Sequence, residues 1–252
     1  MREKIHTIPV NDAMLSGDEC PFCFMERETE QRVLKYVLGP GASYMEPDVR
    51  GATDKEGFCG QHLKKMYDYG NSLGSALMMQ TYMVSLFEEM TREMDKFQIP
   101  GKRGLFTKKN DGEESSLVRW AREKQGSCYI CNKIEYNMER YFDTFFWLLK
   151  ESEFRAKVES CKGFCMEHYA LLLEKAQEQL PAGQLQWFYD TTARLMKDNL
   201  RRVKADLDRL VKLFDYRNAG GDRTNTADAV SRGMQKLKGG YPADRIFRQD
   251  GR

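Results

Sequence analysis

Histidine is scarce in this 252-residue chain, which has three, and no apolar run approaches the roughly 18 uninterrupted residues of a membrane span. Charge of one sign is also missing. Lys and Arg total 40 against 38 Asp and Glu, a net charge of +2. No global field therefore favours nucleic acid or a membrane surface. The opening "MREKIHTIPVNDAML" has no apolar stretch of signal-peptide length, so a cytoplasmic protein is expected. No Gly-rich phosphate loop, dinucleotide fingerprint, hydrolase elbow or HExxH motif occurs, which leaves the commonest catalytic frameworks without support. With 41% hydrophobic and 31% charged residues, the chain reads as globular and long enough for one large or two modest cores.

Against these absences stands a patterned use of cysteine. Six of the seven cysteines and two of the three histidines fall into two sets in one order. Cys20-Pro-Phe-Cys23 precedes Cys59-Gly-Gln-His62, and Cys128-Tyr-Ile-Cys131 precedes Cys165-Met-Glu-His168. The step from Cys23 to Cys59 is 36 (59 minus 23) and that from Cys131 to Cys165 is 34 (165 minus 131). Such a match indicates an internal repeat. In a reducing compartment, cysteines at these spacings point to metal ligation or redox chemistry before structural disulfides.

The segments around the motifs read as helices, so the fold class expected is all-α. Each CxxC runs into a helical stretch, the first ending at the breaker Gly39-Pro40-Gly41 and the second continuing toward Phe154. Each CxxH opens another, closed by Gly70-Asn71 or by Pro181-Ala182-Gly183. A long amphipathic helix follows each. In the second, Met196, Leu200, Val203, Leu207, Leu210 and Phe214 keep heptad-like spacing; in the first, Ala76, Met79, Met83, Leu86, Met90 and Phe97 approximate it. These seams are expected to pack as bundle core, with self-association or a protein partner as the alternative. The expected organisation is a first repeat over 1–100, a linker over 101–114, a second repeat over 115–217 opening with a short helix near Ser116 to Lys124, and a polar tail over 218–252. That tail carries one weak helix from Ala227 to Leu237 and a disordered end.

A CxxC bend presents two thiolates to one side, and a CxxH at a helix start adds a thiolate and an imidazole. Four such donors make the tetrahedral site that zinc accepts, and the helix N-terminus favours thiolate charge. Two Cys3His sites, one per repeat, are expected: Cys20, Cys23, Cys59 and His62, then Cys128, Cys131, Cys165 and His168. They would hold two zinc ions, with an iron–sulfur cluster as the alternative. Pairing within a repeat is an assumption, since ligands can cross between repeats. A shell of four protein ligands leaves no open position, which argues for structural metal and against catalysis.

Other candidates carry less. Cys161 has no counterpart in the first repeat and reads as a half-buried free thiol rather than a redox group, and His6 as a surface or packing residue. Glu26, Glu30, Glu135 and Glu139, at helical spacing after the CxxC motifs, read as solvated helix faces in preference to a carboxylate metal site. The aromatic run Tyr141 to Leu149 reads as core rather than a ligand pocket. Short basic pairs at Lys102-Arg103, Lys108-Lys109 and Arg201-Arg202 leave nucleic-acid binding as a weakly supported alternative.

At Ile8 to Ala13, Cys20-Pro21-Phe22-Cys23, Gly57-Phe58-Cys59 with His62, Cys128 to Cys131, and Gly163-Phe164-Cys165 with His168, the sequence resembles a family of uncharacterised bacterial proteins, a domain of unknown function. The similarity extends to about Leu237. Met14 stands where an aromatic is usual, and the second CxxC lacks proline after its first Cys. The resemblance implies two metal-ligand sets and a mostly helical fold, and brings no activity with it. The reading from the residues is a non-catalytic interaction or regulatory module, with a redox or metal sensor and a nucleic-acid binder as its two rivals.

Overall fold

The structure is a computed structural model that describes residues 6–97, 114–218 and 220–249. Among them the chain is all-α, with eleven α-helices and no strand. In chain order these are α1 (Thr7–Leu15), α2 (Pro21–Leu38), α3 (Pro47–Glu56), α4 (Gly60–Tyr69), α5 (Ser72–Lys96), α6 (Ser116–Gly126), α7 (Tyr129–Leu148), α8 (Ser152–Ser160), α9 (Met166–Gln179), α10 (Ala182–Leu213) and α11 (Ala229–Lys238). The succession of CxxC helix, short helix, CxxH helix and long helix occurs twice, as α2 to α5 and as α7 to α10. The short helices α3 and α8 escape a reading by periodicity because each buries only two side chains, Val49 and Thr53 in one, Phe154 and Val158 in the other.

Two compact units are present. The first comprises Met1–Thr29 with Glu135–Arg245, the second Glu30–Ile134 with Ile246–Arg252. This division differs from consecutive repeats over 1–100 and 115–217. The residues of α2 and α7 are each apportioned between both units, so sequence neighbours do not all share a core. Of the expected 101–114 linker, all but Glu114 lies outside the described residues.

The core of the first unit is aromatic. Phe22 stacks on Phe142 with ring centroids 4.5 Å apart and meets Phe145 edge-on at 5.4 Å. Phe145 in turn meets Phe154 at 5.6 Å and Phe188 at 6.1 Å. The run from Tyr141 is thus interior packing, with Phe142 stacked and Phe145 edge-on to its neighbours. Helices α8, α9 and α11 pack on α10, whose Met196 and Val203 are buried. Leu207 lies against Gly233 of α11, and the seam ends at an exposed Phe214.

Helix α11 is docked by its polar face. Arg232, Gln235 and Lys236 are buried while Val230, Met234 and Leu237 are exposed. Arg232 Nη1 pairs with the buried Asp206 at 2.8 Å, and Gln235 Nε2 donates to Asp18 at 2.6 Å. This region is therefore built into the fold, where a polar tail was expected. Apolar patterning points to the wrong face of this helix, because charge pairing beside the small Ala229 and Gly233 docks it, with its large apolar side chains left outside.

In the second unit, α5 packs on α3, α4 and α6. Leu34, Val37, Leu38, Val49, Phe58, Met66, Tyr69 and Met78 form a continuous core with Ile130. Phe247 joins it against Tyr69 at 5.5 Å, and the Gln249 N–H donates to the Tyr69 carbonyl at 2.8 Å. The end of the chain, expected to be disordered, is held as far as Gln249. Farther along α5, Met83, Val84, Phe87 and Met94 are exposed. No described helix is long and apolar enough to cross a membrane.

Phe145 is fully buried among four other rings. Phe145→Ala is expected to cost about 3–5 kcal/mol of stability, measured by denaturant unfolding with far-UV circular dichroism.

Candidate metal centres

All four cysteine motifs are built the same way. The first cysteine of each caps a helix with its carbonyl. Cys20 accepts the Phe24 N–H at 3.1 Å, Cys59 that of Leu63 at 2.9 Å, Cys128 that of Asn132 at 2.9 Å and Cys165 that of Tyr169 at 2.9 Å. The second ligand then falls on the third helical residue, and the cap and third positions project from the same side of a helix start. This explains the two-residue spacer in CxxC and CxxH alike. It also aims a helix N-terminus, with its partial positive charge, at every ligand pair.

The pairing of the motifs is crossed. Cys20 and Cys23 meet Cys165 and His168 in the first unit; Cys128 and Cys131 meet Cys59 and His62 in the second. Pairing within each repeat is overturned. Spacing decides which two ligands share a helix start, but only tertiary packing decides which two helix starts converge. The donor atoms of each group all lie within 4.8 Å of one another. In the first centre, Cys23 Sγ is 3.6 Å from Cys165 Sγ, and His168 Nδ1 lies 3.6, 3.5 and 3.2 Å from the sulfurs of Cys20, Cys23 and Cys165. In the second, Cys59 Sγ is 3.9 Å from Cys131 Sγ, and His62 Nδ1 is 3.3 Å from each of its three sulfurs. Sulfurs so separated are not disulfide-bonded, and the described cysteines are free thiols. Each group has the donors and the spacing to hold one metal ion.

The glycine and phenylalanine before each CxxH also have reasons. Gly57 and Gly163 adopt positive φ, +67° and +77°, where a side chain is strained. A Cβ on Gly57 would also run into the Tyr82 hydroxyl. Phe58 and Phe164 are buried in the two units. The repeated Gly-Phe-Cys thus turns the chain, anchors it and starts a helix. A signal for this lay in the repetition of the whole phrase rather than of its ligands alone.

The two centres are clamped differently. In the second, the Tyr129 N–H donates to the Gly57 carbonyl at 2.9 Å, tying one motif to the other through backbone. Pro21 holds the corresponding position in the first CxxC and has no N–H to give. There the clamp is Lys236 of α11, whose buried Nζ donates to the carbonyls of Glu19 and Lys162, the residues flanking the two motifs. Its charge is balanced by the buried Glu19 carboxylate, which also takes Arg202. Burial lowers the Lys236 pKa against the pull of Glu19.

The outer nitrogens differ as well. His62 Nε2 bonds to Glu30 Oε1 at 3.0 Å, and Glu30 is paired with Lys65 at 2.5 Å. Glu30, expected on a solvated helix face, is thus an orienting carboxylate for a buried imidazole, and no local feature of the sequence marks it. Exposed Glu139 pairs with Lys175, and Glu135 is exposed; neither of these, nor Glu26, joins a ligand group. His168 lies instead against the rings of Phe22 and Phe142, at 5.7 and 6.3 Å. Cys161 stands outside both groups, buried, accepting the Gly163 N–H at 3.4 Å, with its thiol pKa raised by that burial. His6 packs edge-on to Tyr141 at 5.8 Å.

Without an ion, each centre holds its protons unevenly. Burial disfavours charged imidazole, but at His62 the Cys128 thiol and Glu30 outweigh it and bring the pKa up to about 10. At His168 burial is likewise outweighed by Cys165 and Cys23, again to about 10. Burial and the neighbouring Cys128 thiolate push Cys131 up to about 12, whereas at Cys128 burial yields to the His62 contact and the pKa falls to about 6. Cys165 is held well below the thiol range by its contacts with Cys20 and Cys23, and burial raises Cys20.

The fold and these centres define an all-helical protein with two Cys3His groups. The chain belongs to the family described as a family of unknown function (DUF6062), matched over residues 1–244. No curated protein and no solved structure matches it.

A metal ion must displace the protons of its ligands. At pH 7 loading of the second centre is expected to release those of His62 and Cys131, at least two per ion from pKa values of about 10 and about 12. Apparent affinity therefore rises with pH across the neutral range and falls on acidification. Calorimetric titration in buffers of different ionisation enthalpy measures this release. Glu30→Gln is expected to weaken metal binding at the second centre by about tenfold or more and to leave the first unchanged. Lys236→Met should cost about 3–5 kcal/mol, because it removes one of the two cations facing the buried Glu19; chemical denaturation of the metal-loaded protein checks it.

Proposed function

We propose that the protein is a zinc-binding helical module that holds two structural ions and acts by binding another protein, without catalysis of its own. The observation that carries this reading is that each centre converges four protein donors on one point. A shell filled in this way has no position for water or substrate. Zinc–sulfur bonds of about 2.3 Å and zinc–nitrogen bonds of about 2.0–2.1 Å give tetrahedral edges of about 3.8 Å between sulfurs and about 3.5 Å from sulfur to nitrogen. Sulfur pairs at 3.6 and 3.9 Å and sulfur–nitrogen pairs at 3.2–3.6 Å fit those edges. Donors all within 4.8 Å leave room for one ion and little for a multi-iron cluster. Free thiols throughout the described chain suit a reducing, cytoplasmic setting.

Two ions would join helix starts from the two halves of the sequence, which supports reading the chain as a duplicated unit with exchanged motifs. For the partner surface, α5 offers more than α10, whose Met196 and Val203 are buried and whose Val203 and Leu207 meet Gly233 of α11. Met83, Phe87 and Met94 lie at helical spacing on exposed α5 surface, the arrangement of an apolar stripe that meets another helix. Nucleic-acid binding has less support, since Arg202 is engaged with Glu19 and Arg201 faces Asp198. A sensing role has one observation in its favour, the exposure of Cys131 within the second centre.

Elemental analysis of the purified protein is expected to find two zinc ions per chain, with loss of helical content on strong chelation. One ion, or none, would refute the reading of two structural centres. Phe87→Asp is expected to leave the fold and metal content unchanged while reducing association with a second copy or a partner, read by light scattering and affinity capture. Unchanged association would remove α5 as the surface.

A further inference from the structure

The two centres share one donor set but not one environment. In the first, Cys20, Cys23, Cys165 and His168 are all buried. Backbone closes directly over it: a Cβ at Gly239 would lie 3.5 Å from Cys165 Sγ and 3.6 Å from Cys23 Sγ. Phe22 and Phe142 pack on its histidine, and the neighbouring α11 is anchored by Lys236. The three cysteines of this centre are at most 1% exposed. In the second, Cys128 and His62 are buried, Cys59 is half-buried and Cys131 is exposed. Cys131 Sγ and Cys59 Sγ are 3.9 Å apart, and the two cysteines belong to different helix starts, so each can turn about its own side-chain bonds.

Nucleophilicity of a thiolate toward peroxide depends on its charge and on access. Metal coordination keeps all six ligand sulfurs as thiolates, so access decides between the centres. We propose that the centre of the second unit is a hydroperoxide-responsive metal-release site, in which oxidation joins Cys131 to Cys59, while the first centre keeps its ion. This rests on the reading of both groups as metal centres. In the first step the Cys131 thiolate attacks a hydroperoxide oxygen. The S–O bond forms, the O–O bond breaks, and the departing alkoxide or hydroxide takes a proton from water, leaving Cys131 as a sulfenic acid. The Cys59 thiolate then attacks that sulfur; the S–S bond forms, the S–O bond breaks, and hydroxide leaves as water after protonation. Two thiolates lose two electrons in all and the peroxide gains them. An ion left with only Cys128 and His62 has lost half its donors and dissociates, and a thiol reductant reverses the change.

The test uses the full chain as purified. Its metal content, measured first, separates failure of the metal reading from failure of this proposal. Hydrogen peroxide is then added, released metal is followed with a chromogenic chelator, and disulfides are mapped by alkylation and peptide mass spectrometry. The expected result is release of one of two ions, with the second lost about tenfold more slowly or not at all, and a Cys59–Cys131 bridge that dithiothreitol removes with recovery of metal binding. Release of both ions together, retention of both, or a bridge among other cysteines would overturn the proposal. In Cys59→Ser, a sulfenic-acid trap is expected to label Cys131; Cys161→Ala should release metal as the wild type does. Label on a first-centre cysteine, or loss of release in Cys161→Ala, would count against it, and the wild-type measurements stand even if Cys59→Ser does not fold.

Discussion

The structure depends on helix starts meeting in pairs over Cys3His groups. A helix N-terminus leaves backbone N–H groups unpaired and carries partial positive charge. Four such ends are brought together two by two, which would be repulsive with nothing between them. Cysteine at each cap position sets a sulfur against these ends, and Cys128 and Cys165, whose pKa values are lowered, place negative charge there. The same arrangement sets the directions of α2, α4, α7 and α9 at their origins, and with them the course of the shorter and longer helices that follow.

Around this constraint the two units use different chemistry. The first surrounds its centre with phenylalanine rings and closes it with a helix docked by Arg232, Gln235 and Lys236. The second ties its motifs through one backbone bond and orients its histidine with Glu30. The exchange of Pro21 for Tyr129 between the two CxxC motifs is linked to this contrast. An N–H present at one site and absent at the other decides whether backbone or a lysine does the clamping. Sealing against solvent follows from the same difference, since the lysine arrives on a helix whose end covers the sulfurs.

Much of the fold was legible because helices leave periodic traces and caps leave residues at set distances. The long helices, their breakers at Gly39, Gly70 and Pro181, and the short helix from Ser116 follow from those rules. Helices α3 and α8 were not legible, having too few buried positions to make a period. Nor was the packing of α11, where a buried lysine and arginine stand in for apolar side chains. Glu30 looked like one more charged residue on a helix, because nothing local records that His62 lies above it.

The residues alone mark eight candidate ligands, their grouping into four pairs, and the helical surroundings of each pair. All of that is local: a cap and the third residue after it are neighbours in any helix. Only the tertiary structure decided that the first CxxC joins the second CxxH and the second CxxC the first. The physical reason is that ligand spacing constrains a single turn of chain, whereas the choice between crossed and uncrossed pairing is made by packing between segments 66 to 148 residues apart.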